Sequence, residues 1–259
     1  MTEYETMTYE RKGKIGYIMF NRPRSLNSVN SQVEIDLTDA FLEFDSDEEA
    51  WVCILYGTGR CFCAGADIKS QFVSMTPLQA AAASRGRSAE RYLGRSINWK
   101  PVIAAVHGYA LGAGISIAIE CDLIVASEEA MFGITETKRG VYGGGVWAKM
   151  NAFMPSKVLT EMAITGEPVG APEMYRLGFI NRLVPTGKHL EAAEELAEKV
   201  LKTPPLACRA GVRLSRRQWV QPVADADMYS QPLRLHLSED FKESSKSFVE
   251  KRVPIYHAR

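Results

Sequence analysis

Hydrophobic and polar positions alternate along the chain in blocks that predict strands followed by helices. Short apolar runs rich in β-branched residues predict strands at Tyr17–Phe20, Trp51–Tyr56, Val102–Val106 and Asp122–Ala126. Residues 31–47 instead predict a helix, because apolar side chains recur there at helical spacing: Val33, Leu37, Phe41 and Phe44. This alternation, which continues to about residue 200, predicts an α/β fold with parallel strand pairing.

Helical patterns dominate the last part of the chain. Pro77 begins an earlier predicted helix, whose run Gln79–Ala83 favours helix strongly. Three more predicted helices come after residue 190: Glu191–Lys202, Pro205–Trp219 and Val223–Phe248. No low-complexity linker or internal repeat separates two independent domains. We therefore predict a core at residues 1–200 and a C-terminal helical region at residues 201–259.

Two loops of small residues follow apolar strands, at Cys63–Ile68 and at Gly108–Gly114. Each is predicted to run into a helix, whose start leaves backbone N–H groups unpaired and carries the positive end of the helix dipole. Small side chains let a ligand approach the backbone closely. Two such loops that converge can hold one developing oxyanion between two N–H donors, which is worth roughly 10² to 10³ in rate per donor. The alternative interpretation is two tight turns that bind nothing.

Composition is that of an ordinary globular protein. The 259 residues are 46% hydrophobic and 24% charged, and 31 basic residues balance 31 acidic ones. A zero formal net charge gives no indication of nucleic-acid binding, although a local basic cluster for a phosphate-bearing ligand remains compatible with it.

No apolar run approaches the roughly 18–20 residues that span a bilayer, so we expect no membrane insertion. The acidic start Met1–Glu5 lacks the pattern of a signal peptide, which favours a cytoplasmic location. The five cysteines are scattered, and Cys61 and Cys63 have no second pair at zinc-ligand spacing. We expect reduced thiols and no metal site.

Several further segments form a recognisable set: Phe20–Pro23 with Leu26–Asn27, Gly59–Lys69, Lys100–Gly108, Cys121–Leu123, Phe132–Gly133 with Glu136, and Phe248–Arg252. With these segments the chain resembles the crotonase (enoyl-CoA hydratase/isomerase) superfamily over nearly its whole length. The resemblance implies a β-β-α spiral core with a C-terminal helical trimerisation region, assembled as a homotrimer or a dimer of trimers. It also implies an acyl-CoA thioester substrate, with coenzyme A as part of that substrate and no permanently bound cofactor.

Three residues match the family's catalytic positions. Ala66 and Ala113 correspond to the residues whose N–H groups form the oxyanion hole for a thioester enolate. Glu136 corresponds to the family's second catalytic glutamate, which shuttles protons to and from the reacting carbons. The alternative for Glu136 is a solvated loop glutamate or a helix cap.

Ser116 is a departure from the family pattern, because typical hydratases carry a glutamate at this position. A serine hydroxyl is too weak a base to act alone, but it can orient a water or hold a substrate hydroxyl. The alternative is a small packing residue in the first helical turn. Glu120 would lie on the same helical face one turn further on, and is a second candidate for the missing carboxylate.

Cofactor-binding candidates follow from the same resemblance. The segment Ala64, Gly65, Ala66, Asp67 and Ile68 matches the residues that lie against the CoA adenine. Arg24 and Lys251 are candidates for the CoA phosphates, since phosphate prefers basic partners. Asp67 as a helix cap and the two basic residues as solvated charges are the alternatives.

Three functions remain open from the sequence. The first is an enoyl-CoA hydratase/isomerase-type enzyme that works through an enolate. The second is a hydratase-lyase on an aromatic enoyl-CoA, or a double-bond isomerase, that uses Glu136 alone, and the third is a catalytically silent CoA-thioester-binding protein. Tyr142 either bounds the acyl pocket, donates a hydrogen bond to the substrate or packs, and the same alternatives hold for Trp147. None of the four histidines pairs with a nucleophile in a hydrolase pattern.

Overall fold

The apolar runs of the sequence form the strands of two β-sheets. A computed structural model describes residues 1–70, 76, 93, 96–230 and 234–259, so the helix predicted from Pro77 lies outside the described residues. Strands of the described residues are β1 Thr2–Glu3, β2 Met7–Lys12, β3 Ile15–Phe20, β4 Val52–Gly57, β5 Val102–Val106, β6 Tyr109–Leu111, β7 Leu123–Ser127, β8 Met131–Gly133, β9 Val169–Gly170 and β10 Arg182–Val184.

Helices cover both faces of the larger sheet. In the same described residues they are α1 Ser31–Ser46, α2 Ala113–Glu120, α3 Gly144–Met150, α4 Ser156–Thr165, α5 Ala171–Arg176, α6 His189–Leu201, α7 Pro205–Arg217, α8 Val220–Ser230 and α9 Glu239–Glu250. Asn30 begins α1, since its side-chain oxygen accepts the Val33 N–H at 2.9 Å. The strands and the helix α1 predicted from periodicity are confirmed.

The larger sheet has the strand order β1-β2-β3-β4-β5-β7-β10 within the described residues, and the smaller one has the order β6-β8-β9. From β3 onward the larger sheet is parallel, with Ile54 paired to Ile103 in the next strand. Its first three strands are antiparallel, and β1 and β2 were not among the predicted strands, whereas the four predicted strands pair in parallel as expected. The short reversals between β1, β2 and β3 leave no room for a crossover helix, which parallel pairing requires.

Alternation along the strands sends side chains to two separate cores. Ile103 and Ala105 of β5 pack under helix α6, with Ala193 and Ala197 on the facing helix side. The alternate β5 residues lie in the other core, together with the apolar sides of α1 and α2: Val102, Ala104, Val106, Leu37, Phe41 and Ile117. The central strands are therefore buried on both faces, which fixes their register strongly.

The C-terminal part of the chain is helical but interrupted. The stretch Val223–Phe248, predicted to be almost wholly helical, contains most of α8, a 3₁₀ helix at Leu235–Leu237 and most of α9. Ser238 begins α9 in extended conformation, and its hydroxyl accepts the Phe241 N–H at 3.1 Å. The division at residue 200 stays a prediction. No described helix is long and apolar enough to cross a membrane.

The two glycine loops pack against one another at the carboxyl ends of β4 and β5. The Cys63 N–H donates to Tyr109 O at 2.9 Å, and Leu111 N–H donates to Cys63 O at 3.1 Å. The second loop, expected to be irregular, therefore contains the strand β6. A methyl group on Gly114 would overlap the carbonyl oxygen of Cys63, so only glycine allows α2 to begin at this distance.

We expect Gly114→Ala to lower the free energy of unfolding by about 2 kcal/mol or more, since the added methyl meets backbone and overpacks the loop crossing. Gly211→Ala is the matched control, because Gly211 lies exposed within α7 with nothing near its missing side chain. That change should stabilise the protein by about 0.5–1 kcal/mol. Urea denaturation of both variants tests the packing, and equal stability of the Gly114 variant and the wild type would contradict it.

Candidate active site

Hydrogen bonds to Val29 hold the first loop on one side, and the Ala66 N–H points to the opposite side. Val29 donates to Gly65 O and accepts from Asp67 N–H, both at 2.8 Å. In such a parallel bridge the residue between the two bonded groups points its own N–H to the other side. The Ala66 N–H has no acceptor in the described part of the chain.

The second loop places the Ala113 N–H at the first position of α2, where helix geometry leaves N–H groups without partners. Gly112 precedes it with φ +52°, and its own N–H donates to Gly133 O at 2.8 Å. The first helical hydrogen bond runs from Ser116 N–H to Gly112 O at 3.1 Å. The Ala113 N–H is thus held in a fixed direction but is unpaired within the described residues.

The two donors belong to loops in direct contact. A methyl group on Gly65, the neighbour of Ala66, would lie 2.9 Å from Leu111 O and 3.9 Å from Ala113 N. Both alanines are only half-buried, so a ligand can reach them. Two unpaired N–H groups on adjoining loops can stabilise one developing negative charge.

Glu136 brings a carboxyl group to the same place. It begins a short 3₁₀ helix, Glu136–Arg139, directly after Thr135. A methyl group on Gly112 would lie 3.4 Å from Glu136 Oε1, and one on Gly143 would lie 3.4 Å from Oε2. The predicted acid/base residue therefore borders the loop that presents Ala113.

The Glu136 carboxyl is held without a counter-charge. Its Oε2 atom is buried and accepts no hydrogen bond from the described residues. Burial raises the pKa of Glu136 to about 7, against a smaller lowering by the N–H groups of Glu136 and Thr135. A carboxyl with this pKa exchanges protons readily near neutral pH, as a general acid/base must.

The structure separates the two candidates for a second polar group. Glu120 is buried at the last residue of α2 and its Oε1 lies 2.6 Å from Lys149 Nζ, so it is not a second carboxylate of the site. Ser116 is half-buried one turn after Ala113. Its hydroxyl has no hydrogen-bond partner among the described residues.

The cofactor candidates are in different situations. Asp67 pairs with Arg22 at 3.1 Å through Oδ2, and its Oδ1 lies 3.4 Å from Ser70 N–H. Its carboxylate is thus already used within the chain, as the capping alternative requires. Arg24 is exposed and forms no ion pair among the described residues, and Lys251 is exposed at the C-terminal end of α9. Both side chains are available to phosphate.

The backbone of the remaining cofactor candidates is partly engaged. The Ala64 N–H donates to Leu26 O at 3.0 Å, which fixes the loop against the turn after β3. Ala64 and Ile68 are half-buried, and Gly65 is buried. Their exposed edges can contact a flat ligand such as a nucleotide base.

Tyr142 and Trp147 line one cavity of about 730 Å³. Gly143 lines it too, and this residue also borders the Glu136 carboxyl. Most of the remaining lining is apolar, including Val141 and Ile164. Trp147 also packs against the apolar cores, and the cavity lining includes none of Ala66, Ala113, Ser116 and Glu136, so an acyl pocket bounded by the two aromatic residues stays a prediction. Among the described residues no cluster of His, Cys, Asp or Glu is arranged to hold a metal ion.

Comparison with known proteins agrees with this geometry. The family model described as enoyl-CoA hydratase/isomerase matches residues 10–259. The chain belongs to the enoyl-CoA hydratase/isomerase family. It is 34% identical to the (E)-benzylidenesuccinyl-CoA hydratase of Thauera aromatica, over 96% of this chain and 98% of that protein. It is also 34% identical to the carnitinyl-CoA dehydratase of Salmonella typhi, over 98% of this chain and 99% of that protein.

Solved structures give the same result. The crystal structure of carnitinyl-CoA hydratase from Mycobacterium avium superposes with a TM-score of 0.81 at 34% identity, and the match covers 99% of this chain and 100% of that one. As a member of the enoyl-CoA hydratase/isomerase family, this protein is an enzyme of the hydratase/isomerase type that acts on acyl-CoA thioesters. The predicted family and its mixed α/β fold are confirmed.

Sequence reasoning did not find the residues that hold the first loop in place. Asn27 is buried and its Nδ2 donates to Thr58 O and Cys61 O, both at 2.9 Å, while its Oδ1 accepts the Arg22 N–H. The local signal was the Leu26–Asn27 pair in a turn, at positive φ for both residues. That Asn27 supports the first loop is evident only from its long-range hydrogen bonds to Thr58 and Cys61.

We expect Glu136→Gln to stabilise the folded protein in a pH-dependent way. The folded carboxyl has a pKa of about 7 against 4.5 for an ordinary glutamate, so its ionisation costs stability as pH rises between these values. The glutamine variant should match the wild type near pH 4.5 and exceed its free energy of unfolding by about 1–3 kcal/mol at pH 8.

Urea denaturation at the two pH values measures this difference. Glu161→Gln on the exposed side of α4 serves as control, and should change stability little at either pH because water solvates that carboxyl. A Glu136 variant with no stability gain at pH 8 would show that the carboxyl is not held in a desolvated position.

Proposed function

We propose that the enzyme catalyses reversible addition of water to an α,β-unsaturated acyl-CoA thioester, with Glu136 as its single proton-transferring group. The observation that supports this most directly is the grouping of three unpaired polar atoms. Among the described residues, the N–H groups of Ala66 and Ala113 have no acceptor, and Glu136 Oε2, which borders the loop of Ala113, has no donor. Unpaired buried polar groups carry a free-energy penalty, so such a group is expected where a substrate completes the hydrogen bonds.

One carboxylate suffices for both proton transfers. Ionised Glu136 takes a proton from water while the water oxygen bonds to the β-carbon of the substrate. The electron pair of the double bond moves to the thioester oxygen, where the N–H groups of Ala66 and Ala113 stabilise the enolate. Glu136 then returns the proton to the α-carbon, and the reverse sequence eliminates water.

Ser116 takes the place of the second carboxylate in this proposal. Its hydroxyl has no partner among the described residues and lies on the helical turn that follows the Ala113 N–H. It accepts and donates hydrogen bonds but does not ionise near neutral pH, so it orients the water without exchanging its proton. Glu120 does not take this role, because it is paired with Lys149.

Coenzyme A would be held by the half-buried residues Ala64, Ala66 and Ile68, which the buried Gly65 connects, and by the cations of Arg24 and Lys251. Neither cation forms an ion pair within the described residues, which leaves both for phosphate. The homotrimeric or dimer-of-trimers assembly and the cytoplasmic location stay predictions. Exposed apolar residues of the C-terminal region, such as Phe248 and Val249, are compatible with subunit contacts.

A double-bond isomerase is the second candidate, because a single carboxylate can also move a proton between two carbons without water. Cleavage of an aromatic substrate after hydration is a third outcome that the same groups permit. The cavity of about 730 Å³ beside Gly143 lies within the usual range for ligand pockets and has room for a branched or aromatic acyl group. Relatives named for benzylidenesuccinyl-CoA and carnitinyl-CoA support a substituted acyl group.

Product analysis with straight-chain, branched and aromatic enoyl-CoA thioesters tests the proposal. We expect a hydrated product and a kcat/KM that rises with pH through about 7, because the carboxylate form of Glu136 is the active one. Glu136→Gln should lower kcat by roughly 10² to 10⁴ with little change in CoA-thioester affinity.

The variant Ser116→Ala tests whether the serine hydroxyl orients the attacking water. Loss of one hydrogen bond to the attacking water should slow hydration by roughly 3- to 100-fold. A shifted double bond or a cleaved acyl chain as the main product would contradict hydration. Near-full activity of Glu136→Gln would place the acid/base elsewhere, and no turnover of any thioester would favour a binding protein.

A further inference from the structure

A buried ion pair joins two helices that begin at the active site. Lys149 Nζ lies 2.6 Å from Glu120 Oε1, and the two side chains are only 5% and 4% exposed. Glu120 is the last residue of α2, and Lys149 is the last but one of α3. The pair therefore connects the ends of both helices that lie furthest from the catalytic groups.

Stability alone is a weak reason for this pair. Removing two charges from water costs free energy, and apolar side chains of similar volume often stabilise a core as well or better. A carboxylate at the C-terminal end of α2 also faces the negative end of the helix dipole. The pair also fixes the orientation of the Glu120 carboxylate, because Oε1 accepts a hydrogen bond from Lys149 and Oε2 accepts the Leu93 N–H at 3.2 Å.

The opposite ends of the two helices carry the reacting groups. Helix α2 begins with the Ala113 N–H, and α3 begins at Gly144, directly after the Gly143 that borders Glu136 Oε2. The helices have eight and seven residues, so at about 1.5 Å per residue each is only about 10–12 Å long. If the two helices shift relative to one another at the ion pair, their opposite ends shift as well. A displacement of about 1 Å between reacting groups is enough to slow a reaction about 10²-fold.

We infer that Lys149 and Glu120 form a positioning pair that fixes the separation between the Ala113 N–H and the Glu136 carboxyl. Neither side chain touches substrate. The inference rests on the roles proposed above for Ala113 and Glu136. It accounts for a charged pair at a place where an apolar pair would fill the same space.

Replacement of the pair by apolar residues separates positioning from stability. We expect Glu120→Leu/Lys149→Met to remain folded at the assay temperature, since both buried charges are removed together, although the Leu93 N–H loses its acceptor. Its kcat for the enoyl-CoA thioester that the wild type hydrates should fall about 10-fold or more, with KM within about twofold of the wild type. Glu120→Gln keeps the side-chain size and one of the two hydrogen bonds, so its kcat should lie between those of the wild type and the double variant.

The matched control is a second buried ion pair, Arg216 with Asp122, which lies at 2.6 Å and ties α7 to the sheet. Arg216→Met/Asp122→Asn also removes the donor to the buried Lys100 O, so it should lower the melting temperature while kcat stays within about twofold of the wild type. Wild-type kcat in the folded Glu120 variants, or an equal loss of kcat in the control pair, would overturn the inference. Neither result would affect the proposed function, because that proposal is tested separately by the Glu136→Gln variant.

Discussion

The Cys63 carbonyl oxygen sets the geometry on which the active site depends. It accepts the Leu111 N–H at 3.1 Å, and Gly114 lies against it at the start of α2. This one backbone group therefore fixes both the strand-like pairing of the two loops and the point where the helix begins. Within the described residues the N–H groups of Ala66 and Ala113 are unpaired, while the backbone groups of Gly65, Asp67 and Gly112 beside them are used in holding the loops in place.

Catalytic competence and stability make opposite demands on Glu136. A solvated glutamate would not lower the folding stability, but it would be almost fully ionised at neutral pH and surrounded by water. Burial without a counter-charge raises the pKa of Glu136 to about 7 at the expense of folding stability. The surrounding packing offsets that loss of stability, since the larger apolar core includes Ala110 of the second loop and Phe132 and Ile134 just before the 3₁₀ helix.

Features that depend on residues close together in the sequence could be predicted from it. Helical spacing predicted α1, apolar β-branched runs predicted the central strands, and the two small-residue loops together with Glu136 predicted the elements of the site. Long-range pairings were not accessible, because the Arg22–Asp67 and Lys149–Glu120 ion pairs join residues far apart in the chain. Local pattern predicted Val223–Phe248 as one helical stretch but did not locate the end of the first helix, where Arg234 has positive φ, a 3₁₀ helix covers Leu235–Leu237 and Ser238 caps α9.

The strength of the two-donor arrangement can be measured directly. The probe is a saturated acyl-CoA thioester labelled with carbon-13 at the carbonyl, whose infrared carbonyl stretch is recorded free and bound. If both N–H groups polarise the carbonyl, the bound stretch lies at lower frequency. Ala113→Pro, which removes one N–H at a helix position that tolerates proline, should move it back towards the free value. A bound stretch equal to the free one in the wild type would contradict the account.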